Sequence, residues 1–183
     1  MANTDESQAA QTPADLTREH RTRRSPHTSK GPAADPFDSG QVHPVRDVEG
    51  IGELYGELLD GIEVRDTRKL WNADATYVAG ALKITPSVVS GWQSMAELMA
   101  VTGIGKQYAE LLVRADVSSI EGLAGEAPQA LLNRIQRLEK QQTNRIQGNT
   151  IGLPIVQSWI QEAQRHYGVA AVTAAGGSDG LGA

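Results

Sequence analysis

Between two polar ends, the apolar residues of this chain recur three and four positions apart, the spacing that gathers side chains on one face of a helix. Gly50-Ile51-Gly52 is predicted to open a helix with Leu54, Tyr55, Leu58 and Leu59 on one stripe, and Gly61 stands where that helix should stop. Short helices are predicted over Thr67–Trp71 and Thr76–Leu82. Thr85-Pro86 is a start signal, because threonine can cap and proline is preorganised for a first turn. The helix it opens carries Val88, Val89, Trp92, Met95, Leu98 and Met99 as a continuous apolar face. It runs into a second Gly-Ile-Gly, whose helix holds Tyr108, Leu111 and Leu112. A short helix over Ser119–Leu123 follows, then the longest one, opened by Pro128, with Leu131, Leu132, Ile135, Leu138 and Ile146 facing inward. The run "GNTIG" breaks it, and Pro154 begins a last helix with Ile155, Val156, Trp159, Ile160 and Ala163 on its core side. The fold class read from this pattern is all-α.

Composition sharpens that picture. Phe37 is the single phenylalanine, so a core must be built from Leu, Ile, Val and Ala around Trp71, Trp92 and Trp159, which favours helices over sheets. With no cysteine, disulfides, thiol catalysis and cysteine-ligated zinc are excluded. A formal charge of −5 argues against a surface that is basic throughout, though a local basic face is compatible with it. No run approaches the ~20 apolar residues of a membrane span. The opening "MANTDESQAAQTPADL" has no apolar stretch of the secretory kind, so a cytoplasmic protein without membrane contact is expected.

Residues 1–45 are rich in Pro, Ser, Thr, Asp and Arg and are expected to be disordered, since such a stretch buries too little to offset its ordering entropy. Within it, "LTREHRTRR" gathers Arg18, Arg21, Arg23 and Arg24. That run reads either as a peptide that docks on an acidic partner or as a solubilising tail. Residues 169–183 are small and read as a flexible tail. The folded part then divides into residues 46–99 and 100–168.

The division rests on a repeat. "VEGIGELYGELL" at 48–59 returns as "VTGIGKQYAELL" at 101–112, at a constant offset of 53 that also pairs Val64 with Val117 and Leu70 with Leu123. Agreement over some twenty positions marks an internal duplication. The pattern hydrophobic-x-Gly-hydrophobic-Gly-x-x-x-Ala-x-x-Leu, matched from Val101 to Leu112 with Ala109 at the small position and Gly56 in the first copy, resembles the helix-hairpin-helix motif. The order of two such motifs, the intervening "SGWQSMAELMAVTGIGKQYAELL" and a closing "LP…W" helix is similar to a family of tandem helix-hairpin-helix proteins of unknown function, over about residues 46–166. The resemblance implies a tandem helix-hairpin-helix bundle, and no assigned reaction comes with it. Members commonly have glycine where this chain has Glu63 and Asp116. Aspartate accepts the left-handed conformation better than glutamate, so some local adjustment after Gly61 is expected.

Glycines let two helices meet through a tight turn, leaving amides free at the start of the second helix. Those donors and the helix dipole suit a phosphate oxygen. In helix-hairpin-helix proteins this is how a nucleic-acid backbone is gripped without its sequence being read. Here the second turn, with Thr102, Gly103, Ile104, Gly105 and Lys106, is the candidate grip. The first, with Gly50, Ile51 and Gly52, is flanked by Glu49 and Glu53, which repel phosphate, and "DSGQVHPVRD" ahead of it promises no helix. It reads as structural. The stretch 134–145 sets Arg134, Arg137, Lys140 and Arg145 against Glu139 alone. Beside the second turn these would join Lys106 and Arg114 in one basic face; elsewhere they are a solvated helix side.

Catalysis is not expected. The histidines (His20, His27, His43, His166) lie in or beside the polar ends, and no carboxylate pair, metal-spaced cluster, nucleophile elbow or Walker loop is present. No cofactor, metal or small-molecule substrate is expected either. Two readings remain: a sequence-independent nucleic-acid binder, or an adaptor subunit of a protein assembly with the N-terminal tail as its strap.

Overall fold

Short side chains ahead of helices explain many of the boundaries. In the computed structural model, which describes residues 35–141 and 151–175, eight α-helices and no strand occur among the described residues. A 3-10 turn (Val45–Asp47) precedes α1 (Glu53–Gly61), α2 (Thr67–Asn72), α3 (Ala75–Leu82), α4 (Pro86–Met99), α5 (Lys106–Arg114), α6 (Ile120–Ala124), α7 (Pro128–Gln141) and α8 (Leu153–Ala175). Asp66, Asp74 and Ser119 cap α2, α3 and α6 by accepting from the Lys69, Tyr77 and Gly122 amides at 2.8, 2.7 and 3.0 Å. Pro86 takes the first position of α4.

The sequence repeat is also a repeat of backbone bonds. Gly50 and Gly103 have φ of +86° and +89°, which only glycine adopts freely. One residue later, the Ile51 and Ile104 amides donate to the Val48 and Val101 carbonyls, both at 3.1 Å. The Gly56 and Ala109 amides then reach back to Gly52 and Gly105, both at 2.9 Å. At the far ends of α1 and α5, the Val64 and Val117 amides bond to Leu59 and Leu112, both at 2.9 Å, the closure of a left-handed helix stop. Glu63 and Asp116 occupy that left-handed position with φ of 62° and 63°. The adjustment expected after Gly61 does not occur, because the six-residue closure dictates the backbone and the glutamate accepts it. Glu63→Gly is therefore expected to raise the unfolding free energy by about 1 kcal/mol, read as a higher urea midpoint with unchanged slope.

Packing repeats with the bonds. α1 packs on α3, α2 on α4 and α3 on α4, just as α5 packs on α7, α6 on α8 and α7 on α8. Buried Val78, Ala79 and Leu82 of α3 correspond at the same offset of 53 to Leu131, Leu132 and Ile135 of α7. Beyond that the second repeat is longer: Trp92 of α4 and Trp159 of α8 are 67 apart, and α7 has 14 residues against eight in α3. Helix α4 joins the halves, packing also on α5. From its last turn Glu97 accepts the Trp71 indole N–H at 3.0 Å with one oxygen and the Ile120 amide at 2.8 Å with the other. A carboxylate thus ties α2 of the first repeat to α6 of the second.

Two boundaries and the burial of three side chains depart from the sequence reading. The packed chain begins by Asp35 rather than after residue 45. Phe37 is 4 % exposed and meets Trp71 edge-on with centroids 6.0 Å apart, while Arg68 forms ion pairs with Asp35 and Asp38 at 2.7 and 2.6 Å. An aromatic anchor, two carboxylates and backbone bonds such as that from the Gln41 amide to the Ala100 carbonyl hold a segment that has no periodicity. At the other end, the backbone of α8 continues to Ala175, through the alanine-rich stretch read as tail, because alanine is the best helix former. That makes α8, not α7, the longest helix among the described residues, and Ile146 lies outside them. Finally, Val88, Leu54 and Leu58 are exposed, not part of the stripes assigned to them.

Candidate functional site

The second turn is built by two glycines and sealed by a tryptophan. Gly103 turns the chain, and its carbonyl accepts the Trp159 indole N–H at 3.1 Å. Tyr108 on the first turns of α5 tilts against the same indole with centroids 5.0 Å apart. Ile104 is buried at 3 %, so of the five residues read as a phosphate grip it is an anchor of the turn, its side chain in the core. Thr102, Gly103, Gly105 and Lys106 are exposed. Gly105 is the residue ahead of α5, with φ −84° and ψ 176°, and no side chain caps the helix there. A Cβ placed on Gly105 would meet nothing within 4 Å. This is an open helix start, with amide donors and the positive end of the dipole facing outward.

The first turn has the same backbone. Gly50 turns the chain with Trp92 lying over it: a Cβ there would sit 3.1 Å from the indole nitrogen. Tyr55 tilts against Trp92 at 5.3 Å, as Tyr108 does against Trp159. Ile51 is buried, and Gly52 leaves the start of α1 without a side-chain cap. Only the element ahead differs: a three-residue 3-10 turn stands where the second turn has α4. Arg46 from that short turn lies across α1, close enough that a Cβ on Gly56 would come within 2.8 Å of its Cγ, and it pairs with Asp60 at 3.0 Å.

The two turns meet in charge. Lys106 Nζ lies 3.9 Å from Glu49 Oε2, both side chains about half exposed. An exposed pair of this kind is worth about 0–1 kcal/mol, so it biases Lys106 without locking it. The other proposed cations divide. Arg134 forms an ion pair with Glu126, near the start of its own helix, and its Nε is buried without a partner. Arg137 is exposed and donates to the Asn133 carbonyl at 3.2 Å; Lys140 is exposed. Helices α5 and α7 are packed together, but the arginine of α7 nearest the core is spent on Glu126. Arg145 and the tail residues Arg18, Arg21, Arg23 and Arg24 lie outside the described residues.

Residues 49–166 match DUF4332, a domain of unknown function. The chain belongs to the DUF4332 family. Comparisons with curated proteins and with solved structures return no match. The DUF4332 region runs from Glu49 to His166, so it takes in both glycine turns, both indole seals and the Glu49–Lys106 contact, and leaves Asp35–Val48 ahead of it.

Two titratable groups of the DUF4332 region are shifted, and neither is at a glycine turn. Burial lowers the pKa of His166, against an opposing pull from Glu162, and its Nδ1 lies 3.3 Å from Ser39 Oγ. The hydrogen bond that Arg68 donates to Asp35, with the carboxylate's charge, raises the pKa of Arg68. Among the described residues no group of three or more His, Asp or Glu could hold a metal, and no helix is long and apolar enough to cross a membrane. Sequence reasoning found the turn residues of this DUF4332 chain but missed Glu49 and Trp159 as their partners. The tryptophan had a signal, its recurrence one position after a Gly or Ser in two "hydrophobic-Val-x-x-Trp" helices. The glutamate had none.

Proposed function

We propose that this chain is a non-catalytic binding module of the helix-hairpin-helix kind, in which the α4–turn–α5 hairpin holds a phosphate of a nucleic-acid backbone without reading its sequence. The observation that carries this reading is the uncapped start of α5, with Gly105 open to solvent and Lys106 beside it. Phosphate would replace Glu49 as the partner of Lys106, an exchange that costs little because the pair is exposed. One hairpin neutralises few phosphates, so binding should be weak and its dependence on salt shallow, with a log–log slope of about −1 to −2.

Two substitutions separate binding from folding. Gly105→Asp supplies a capping carboxylate at a position whose backbone already suits one. It is expected to stabilise the protein by about 0.5–1 kcal/mol while placing negative charge where the phosphate would sit. Lys106→Glu should leave melting nearly unchanged and weaken binding. Titration of the full chain into labelled duplex and single-stranded DNA, at low and near-physiological salt, checks both. Retained affinity in Gly105→Asp would end the proposal.

The pairing of Lys106 with Glu49 and of Arg134 with Glu126 favours a second reading, in which the tandem unit is a rigid adaptor within a protein assembly. Absence of DNA binding by the full chain even at low salt is the result that selects it.

A further inference from the structure

In the second repeat α5 is covered by α4, and Leu111 is 3 % exposed. Its counterpart in the first repeat, Leu58, is 40 % exposed, and Leu54 one turn earlier is 67 % exposed. At Leu58 the difference goes with what precedes each glycine turn, a helix of 14 residues in one case and three residues of 3-10 turn in the other, whereas Leu54 answers to Gln107, which is exposed too. Arg46 covers the middle of α1 at Gly56, but among the described residues the stripe through Leu54 and Leu58 stays exposed. That stripe is acidic along its edge. Glu53 and Glu57 are exposed beside it, and α1 contains no lysine or arginine.

We propose that this uncovered face of α1 is the docking site for the chain's own basic segment, residues 13–24, held intramolecularly. Three observations select that occupant. The segment sets Arg18, Arg21, Arg23 and Arg24 against Asp15 and Glu19, a net positive complement to Glu53 and Glu57, and Leu16 supplies an apolar residue for Leu54 and Leu58. It opens with Thr12-Pro13, the same pair that opens α4 with Thr85-Pro86, the helix that covers the equivalent face in the second repeat. And it can reach: ten residues lie between Arg24 and Asp35, which extended span about 35 Å, the diameter of a small domain. A second copy is a poorer occupant, since it would set glutamates against glutamates. Two leucines a side also fall far short of the about 1,200 Å² that a stable interface buries. The segment's positive charge would thus be directed to the face of α1, and this inference stands apart from the DNA reading because its test involves neither Gly105 nor Lys106.

The lack of any cysteine makes the test direct. Thr17→Cys carrying a nitroxide, in the isotope-labelled full chain, is expected to quench the amide signals of Leu54, Glu57 and Leu58 while those of α7 stay sharp. The quenching should vanish at about 1 M salt, where the screening length is about 3 Å, and in Arg21→Glu/Arg24→Glu, which cannot unfold the core. Quenching that is evenly spread, centred elsewhere, or unchanged by that charge reversal overturns the proposal. So does quenching of α1 in a mixture where spin label and isotope are on different chains, which would place the segment on a second copy.

Discussion

Trp159→Ala is expected to lower the unfolding free energy by about 3–5 kcal/mol, the usual cost of removing a buried tryptophan. The indole is 2 % exposed, packs on Tyr108 and donates to the carbonyl of Gly103, the residue that turns the chain. Its loss opens a cavity, removes an aromatic pair and leaves the turn carbonyl without its partner. Trp159→Phe separates these contributions: it keeps a ring against Tyr108 and gives up the hydrogen bond, so about 1–2 kcal/mol of the loss should remain. Urea denaturation followed by circular dichroism measures both. If Trp159→Ala unfolds at nearly the wild-type midpoint, the indole is not the seal of the second turn.

Gly40→Ala is expected to loosen Asp35–Pro44 from the core at a cost of about 1–3 kcal/mol, the range for overpacking a tight site. A Cβ there would lie 2.5 Å from the Pro36 carbonyl oxygen and 2.8 and 2.9 Å from Ala100 Cβ and its carbonyl oxygen. Two of those three atoms are backbone, so no side chain can swing aside. The neighbouring Gln41 amide bonds to the same Ala100 carbonyl at 3.0 Å, and Phe37 sits buried three residues earlier. Hydrogen exchange at Gln41 should accelerate strongly while α7 stays protected. Unchanged protection at Gln41 would mean that the segment yields without leaving.

Most of the helices were legible because they are announced twice, by an apolar period and by a capping residue or proline, while α1 and α5 are announced by their glycine turns. Asp66, Asp74, Ser119, Pro86 and Pro128 all stand where the structure uses them. What the period could not supply is which apolar residue of a stripe has something to pack against. Leu54 answers to Gln107, which is exposed as well; Leu58 fits the pattern of Leu111, but the helix that packs on α5 has no counterpart before α1. Exposure there is a property of a neighbour, not of the stripe. Asp35–Pro44 was missed for the converse reason: it is held by Phe37, Gly40 and the Arg68 ion pairs, contacts between residues about thirty to sixty apart in sequence that leave no local signature. The glycine turns were legible as turns, whereas the pairing of Lys106 with Glu49 depends on how the halves are set together.

Helix α4 closes the first repeat by packing on α2 and α3, and it opens the second by leading into the turn and packing on α5. The two halves therefore overlap by one shared segment, and no single cut yields two complete units. Whichever fragment keeps residues 86–99, the other is left with a bare apolar surface. The doubled sequence thus describes interlocked parts that should melt in one transition, unlike beads on a string that could be separated, shuffled or lost one at a time.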